Sequence, residues 1–199
     1  MIRAVIFDWG GVLIFNPAKE FWNYCASNIG VYLSKFIKVY KKYEKTYQKN
    51  QISEKELWRV VCSELRVPIP KNKSLWSKAA ENVFKENKDV TDIALKIKQN
   101  GYKIGLLSNT EIPVARSYKK QPYNFFDTAV FSCFVGCVKP EREIYEIILR
   151  KMRVKPEEVI FIDDNKENIE AANSMRMKTI HFTSTTKMKK ALNSYNVIL

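Results

Sequence analysis

Histidine is almost missing from this chain: His181 is the only one in 199 residues. It falls in the last strand-like run, away from the acidic strand ends discussed below, and a lone strand histidine reads as structural. Cysteine is also sparse. Cys25, Cys62, Cys133 and Cys137 form no Cys-x-x-Cys pair, and no nearby His or further Cys completes a zinc site around Cys133 and Cys137. They read as reduced, mostly buried thiols. No apolar run reaches the roughly 18 residues that would signal a membrane span, and no charged-apolar-small signal segment opens the chain. The expectation is a soluble, cytoplasmic protein with no membrane partner.

Acidic residues are outnumbered, 21 Asp plus Glu against 34 Lys plus Arg, which leaves a net charge of +13. Such a surplus can serve nucleic acid, an anionic membrane or the steering of an anionic substrate. The basic residues are spread from Lys35 to Lys190 without a recognised binding motif, and lysine dominates. A solvated surface follows, with no specific nucleic-acid partner. With 46% hydrophobic residues the chain can bury one core domain carrying one insertion.

What is present begins at Asp8. It ends the apolar run Ile2 to Phe7, a buried-type strand, and is followed by Trp9-Gly10-Gly11-Val12-Leu13. A carboxylate at the carboxyl end of a strand, with glycines freeing the next turn, sits where open α/β sheets place their chemistry. An Asp that merely opens a turn would explain this position alone, but three later segments argue against it. Gly101 to Thr110 is a second apolar strand that stops on Ser108-Asn109-Thr110, where Ser108 can donate to an anion. Val138-Lys139-Pro140 precedes a helical stretch from Glu141 to Met152; the proline suits the first helical turn and places Lys139 at the loop-helix junction. Val159 to Asn165 is a third such strand, ending on the adjacent acids Asp163 and Asp164. Two neighbouring carboxylates repel unless a cation or several donors sit beside them, and a hard metal ion explains both acids where a helix cap explains one.

Between the first strand and the rest, about seventy residues are helical in pattern. Apolar residues recur at three- and four-residue intervals from Phe21 to Tyr47, continue behind the Ser53 to Glu56 capping box, break at Val67-Pro68-Ile69-Pro70 and resume from Leu75 to Phe84. From Asp89 the alternation of helix and strand returns: helix 90–100, strand 103–107, helix 112–120, strand 128–132, helix 141–152, strand 158–162, helix 166–175, strand 179–182 and a last helix near 187–194. That order predicts an α/β fold, a doubly wound parallel sheet of Rossmann-like type.

Asp, hydroxyl, lysine and acid pair at successive strand ends together resemble the four motifs of the haloacid dehalogenase superfamily. The stretches 138–145 and 163–172 look like its branch of small sugar-phosphate phosphatases and the phosphatase domain of bifunctional epoxide hydrolases. The resemblance implies a core of residues 1–15 and 89–199 with an inserted all-helical cap at 16–88. It implies a magnesium-dependent phosphatase in which Asp8 attacks phosphorus, Ser108 and Lys139 hold the phosphoryl group, and Asp8, the Gly10 carbonyl, Asp163 and Asp164 bind Mg2+. Asn109, Trp9 and Gly10 are the expected substrate contacts, and the partner is a small phosphorylated metabolite; a monomer or homodimer fits. One departure stands out: where most phosphatases of the family carry a second Asp as general acid and base, this chain has Gly10. General acid-base help is worth roughly 10²–10⁴ in rate, so the glycine implies a shifted mechanism. Two other readings remain at this point. A metal-independent haloacid dehalogenase also lacks the second Asp but has no acid pair in its fourth motif; a scaffold or phospho-ligand binder would bind without turnover.

Overall fold

The computed structural model describes residues 1–71, 73–118 and 125–198. Strands β1 (Ala4–Phe7), β2 (Lys103–Ser108), β3 (Thr128–Phe131), β4 (Val159–Asp163) and β5 (Lys178–His181) form one sheet in the order β3-β2-β1-β4-β5. Every pairing is parallel, and β1 lies at the centre with all four residues fully buried. Strands buried on both faces need continuous apolar runs, which is why these segments are apolar rather than alternating. Successive side chains still alternate between the faces. Val5 and Phe7 pack with Val90, Ile93 and Ile97 of α6 (Lys88–Gln99) and with Met188 and Leu192 of α11 (Thr185–Ser194). Ala4 and Ile6 pack with Ile144, Tyr145 and Ile148 of α9 (Arg142–Met152) and Ala172 of α10 (Lys166–Ser174). Helices on both faces make the doubly wound layer that the strand-helix alternation predicts.

The interval between β1 and α6 is helical: α1 (Ala18–Asn28), α2 (Leu33–Tyr40), α3 (Glu44–Gln48), α4 (Glu54–Leu65) and α5 (Leu75–Val83). The capping box is in place at α4, where Ser53 Oγ accepts from the Glu56 amide and the Glu56 carboxylate accepts from the Ser53 amide. The two connections to the sheet run side by side. The Phe15 amide donates to the Lys85 carbonyl at 2.9 Å, and the Asn87 amide donates to the Leu13 carbonyl at 2.8 Å. The helical block thus hangs from a narrow double neck beside the carboxyl end of β1.

Several expected boundaries shift. The third strand stops at Phe131, and Ser132–Val135 is instead a single helical turn, α8. Helix α7 covers Ile112–Ser117; Lys119 and Lys120 lie outside the described residues. The helix expected from Glu141 begins at Arg142, with Pro140 ahead of it rather than in its first turn. The reason is a closed turn: the Glu141 amide donates to the Val138 carbonyl at 2.7 Å, while the Val138 amide donates back to the Glu141 carboxylate at 3.1 Å. All four cysteines are buried and free. Among the described residues, no helix is long and apolar enough to cross a membrane.

Candidate active site

Parallel pairing brings β1, β2 and β4 to one edge, so Asp8, Ser108 and Asp163 converge although about 150 residues separate the first from the last. The Asp8 amide continues the ladder by donating to the Ile162 carbonyl at 2.9 Å. Carboxylate oxygens of Asp8, Asp163 and Asp164 lie within 4.8 Å of one another. Lys139, only 3% exposed, reaches into this cluster from the loop ahead of α9. Its Nζ lies 2.7 Å from Asp8 Oδ1 and 2.7 Å from Asp163 Oδ2, and it donates to the Leu107 carbonyl at 3.1 Å.

The two neighbouring acids differ in surroundings. Asp163 is fully buried, and both of its oxygens accept from Asn168 Nδ2, at 3.0 and 3.1 Å; Oδ1 also accepts from the Asn165 amide at 2.8 Å. Asp164 is partly exposed and accepts from Asn16 Nδ2 at 3.1 Å. Asp164 is therefore the more accessible of the two, and Asp163 braces Lys139. Gly11 makes room for this: its φ is +84°, and a Cβ there would lie 2.1 Å from Asp164 Oδ2. Gly10 differs, since a Cβ on it meets nothing nearer than Pro17 Cδ at 3.9 Å.

The electrostatics of the cluster favour a cation. Burial pushes the Asp8 carboxyl up to about 8, Lys139 opposes the shift, and Asp163 and Asp164 reinforce it. Asp164 is likewise raised by burial and by Asp163. Burial disfavours the Lys139 ammonium, but Asp163 and Asp8 outweigh it and hold the group above its usual range. Three carboxylates against one ammonium leave excess negative charge in a buried place, which suits an oxygen-liganded divalent ion.

Other expected site residues occupy defined places. Ser108 is buried at the end of β2 and lines a cavity between the sheet edge and the helical block. Asn109 lines it too, but its amide is spent on the Lys139 backbone: Nδ2 donates to the Lys139 carbonyl at 2.9 Å and Oδ1 accepts from the Lys139 amide at 2.7 Å. Its visible work is to position Lys139. Trp9 is 1% exposed and borders the cavity with Gly10, and its amide donates to Asp8 Oδ1 at 2.7 Å. His181 corrects the expectation that it lies away from the acidic strand ends. It pairs in register with Asp163, and its Nε2 lies 3.0 Å from the Asp164 carbonyl, because β5 adjoins β4.

A model of the haloacid dehalogenase-like hydrolases matches residues 2–176. The chain belongs to that family. It is 28% identical over 190 residues to mouse acyl-CoA dehydrogenase family member 10, covering 89% of this chain but only 18% of that protein. It is 26% identical over 194 residues to a phosphorylated carbohydrates phosphatase of Thermotoga maritima, covering 90% of this chain and 84% of that one. Its fold is similar to that of a haloacid dehalogenase family enzyme of Bacteroides thetaiotaomicron solved with magnesium and inorganic phosphate, with a TM-score of 0.72 and 22% identity over 92% of this chain and 95% of that one. This haloacid dehalogenase-like hydrolase carries Asp8, Ser108 and Asp163 at one sheet edge, with Lys139 reaching in from the loop ahead of α9.

Proposed function

We propose that the chain is a cytoplasmic, magnesium-dependent phosphatase, monomeric or homodimeric, that hydrolyses a small phosphate monoester such as a sugar phosphate through an aspartyl-phosphate. The observation that carries this reading is the convergence of Asp8, Asp163 and Asp164 within 4.8 Å around Lys139. An acid pair at the end of β4 is superfluous in metal-free dehalogenation and useful in phosphoryl chemistry. Residues 1–15 and 89–199 would supply the chemistry, and 16–88 the cap over it. Asp8, the Gly10 carbonyl and Asp164 would hold Mg2+, with Asp163 beside them. A bound magnesium ion supplies the charge neutralisation that lets an anionic ester approach.

Asp8 attacks phosphorus in line through a carboxylate oxygen; an acyl-phosphate bond forms as the bond to the ester oxygen breaks, and water then cleaves the acyl phosphate. Lys139 and the Ser108 hydroxyl hold the equatorial oxygens, and Asn109 keeps Lys139 in place. Trp9 and Gly10 border the half of the substrate that departs.

The test is release of inorganic phosphate from a panel of metabolite phosphates with and without magnesium. Activity is expected to need the divalent ion and to vanish with chelator. Chloride release from a 2-chloro acid that survives chelator would establish the dehalogenase reading instead.

Gly10 carries its own expectation. Without an acid there, rates should fall steeply as the leaving-group pKa rises, so aryl and acyl phosphates and sugar 1-phosphates should outpace simple alkyl phosphates. At Gly10 a Cβ meets nothing nearer than 3.9 Å, and Gly10→Asp is expected to flatten that slope, speeding alkyl esters by about 10–10². Equal slopes for the two proteins across an ester series, at saturating magnesium, would show that another group already supplies the proton.

A further inference from the structure

The cavity that opens from Gly10 and Ser108 toward the helical block has a volume of about 190 Å³. That suits the organic half of one small ester, well below the roughly 300–1,000 Å³ of pockets that hold drug-sized ligands. Among the described residues its lining contains no Lys, Arg or His, despite the net charge of +13. It contains two acids, Glu44 and Glu111. Glu44 is already paired, its two oxygens accepting from Lys41 Nζ at 2.8 and 2.7 Å. Glu111 is different: it is 6% exposed, it follows Ser108 by three positions at the start of α7, and its Oε1 accepts from the Tyr40 hydroxyl of α2 at 3.0 Å.

Burial raises the Glu111 carboxyl above its usual range, opposed by the Trp76 indole, its own amide and the Tyr40 hydroxyl. The lining also offers donors. Gln48 of α3 is half-buried and lines the cavity, and its side-chain amide both donates and accepts. A wall with an acid acceptor on Glu111 and an amide on Gln48 matches a hydroxyl, which both donates and accepts. An ammonium only donates and would leave the Gln48 N–H without an acceptor from the substrate. A second phosphate or a carboxylate would be desolvated among aromatic rings, with a carboxylate nearby and no cation.

We propose, on the basis of the phosphatase reading, that Glu111 held by Tyr40 reads hydroxyl groups on the departing half of the substrate. The enzyme then takes monophosphates of small uncharged polyols and turns away esters with an anionic tail. Glu111 is thus a specificity-determining residue contributed by the sheet side of the cavity, and Tyr40 of the cap is its positioning partner.

The experiment measures kcat/KM for three kinds of ester with the magnesium-loaded protein: glycerol phosphate and hexose monophosphates, their counterparts 3-phosphoglycerate and hexose bisphosphate, and phenyl phosphate. Uncharged polyol esters are expected to exceed the anionic-tailed ones by about 10²-fold. Glu111→Met keeps length but removes the polar end, and is expected to lower the ratio of polyol ester to phenyl phosphate by about 10–10²-fold. Tyr40→Phe, which keeps the ring, should lower the same ratio by about 3–10-fold. Equal turnover of anionic-tailed esters, or a parallel loss on polyol and phenyl esters in both folded variants, would overturn the proposal while leaving the phosphatase intact. Failure of the wild-type protein to hydrolyse any of the three classes, phenyl phosphate included, would overturn the phosphatase reading and this proposal with it.

Discussion

Asp8→Asn is expected to abolish phosphate release, by at least about 10⁴-fold in kcat, as removal of a covalent nucleophile does elsewhere. The amide keeps the shape of the side chain, and an oxygen in the place of Oδ1 can still accept from the Trp9 amide, 2.7 Å away, and from Lys139. The fold should survive for a further reason. Asp8 has its pKa raised by burial, so its ionised form costs folding energy once pH exceeds the ordinary carboxylate range, and that cost grows as pH rises toward the folded value. A neutral amide avoids the cost, so the melting temperature of the variant at pH 8 should match or exceed that of the wild type. Divalent-ion affinity should remain largely intact through Asp164 and the Gly10 carbonyl. Inactivity of a well-folded, metal-binding variant would therefore report lost chemistry rather than lost structure. Substantial turnover by a cleanly purified Asp8→Asn protein would overturn the covalent mechanism.

The convergence of the residues proposed to carry this chemistry was legible because their signal is local. Asp8, Ser108 and the Asp163-Asp164 pair each end an apolar run, and a parallel sheet converts separate run endings into one spatial cluster. The helical block was equally plain, since its apolar period and the Ser53 to Glu56 box are properties of short windows. Long-range register was not. His181 meets the Asp164 carbonyl only because β5 lies beside β4, and nothing within its own run announces that neighbour. Asn16 and Asn168 brace the two acids through contacts spanning 148 and 5 residues, and an isolated Asn in a polar stretch reads as a turn or cap residue. Glu111 was hidden for a similar reason: it looks like an ordinary helix-start acid until Tyr40, 71 positions earlier, is seen to close over it. Pro140 misled because proline marks a first helical turn and a preceding turn equally well, and the Val138–Glu141 closure decides between them.

Lys139→Met should have the largest effect on the fold itself. The methionine keeps most of the aliphatic stem but removes the ammonium that lies 2.7 Å from both Asp8 and Asp163 and spends its remaining proton on the Leu107 carbonyl. Removing one partner from a buried ion pair typically costs about 3–5 kcal/mol, since the remaining charge is left without compensation. For a chain of this length each kcal/mol lowers the melting temperature by about 2–4 °C, so a fall of roughly 6–20 °C is expected without divalent ion. The pH dependence has a definite sign. Without Lys139 the main group opposing the burial that raises Asp8 is gone, so its charged form is costly at pH 8, whereas protonation relieves it at pH 5. The deficit relative to the wild type should accordingly shrink on acidification. Added magnesium should also recover part of it by binding the folded state through Asp8 and Asp164, worth about 2.7 kcal/mol at a hundredfold excess over Kd. Turnover should not recover with it, because the equatorial oxygens of the phosphoryl group lose their only side-chain cation among the described residues, a loss of about 10²–10³ in kcat. Thermal melts at both pH values, with and without magnesium, separate these effects. A melting temperature unchanged from wild type at pH 8 would mean that Asp8 and Asp163 are not held by Lys139 in the way their distances indicate.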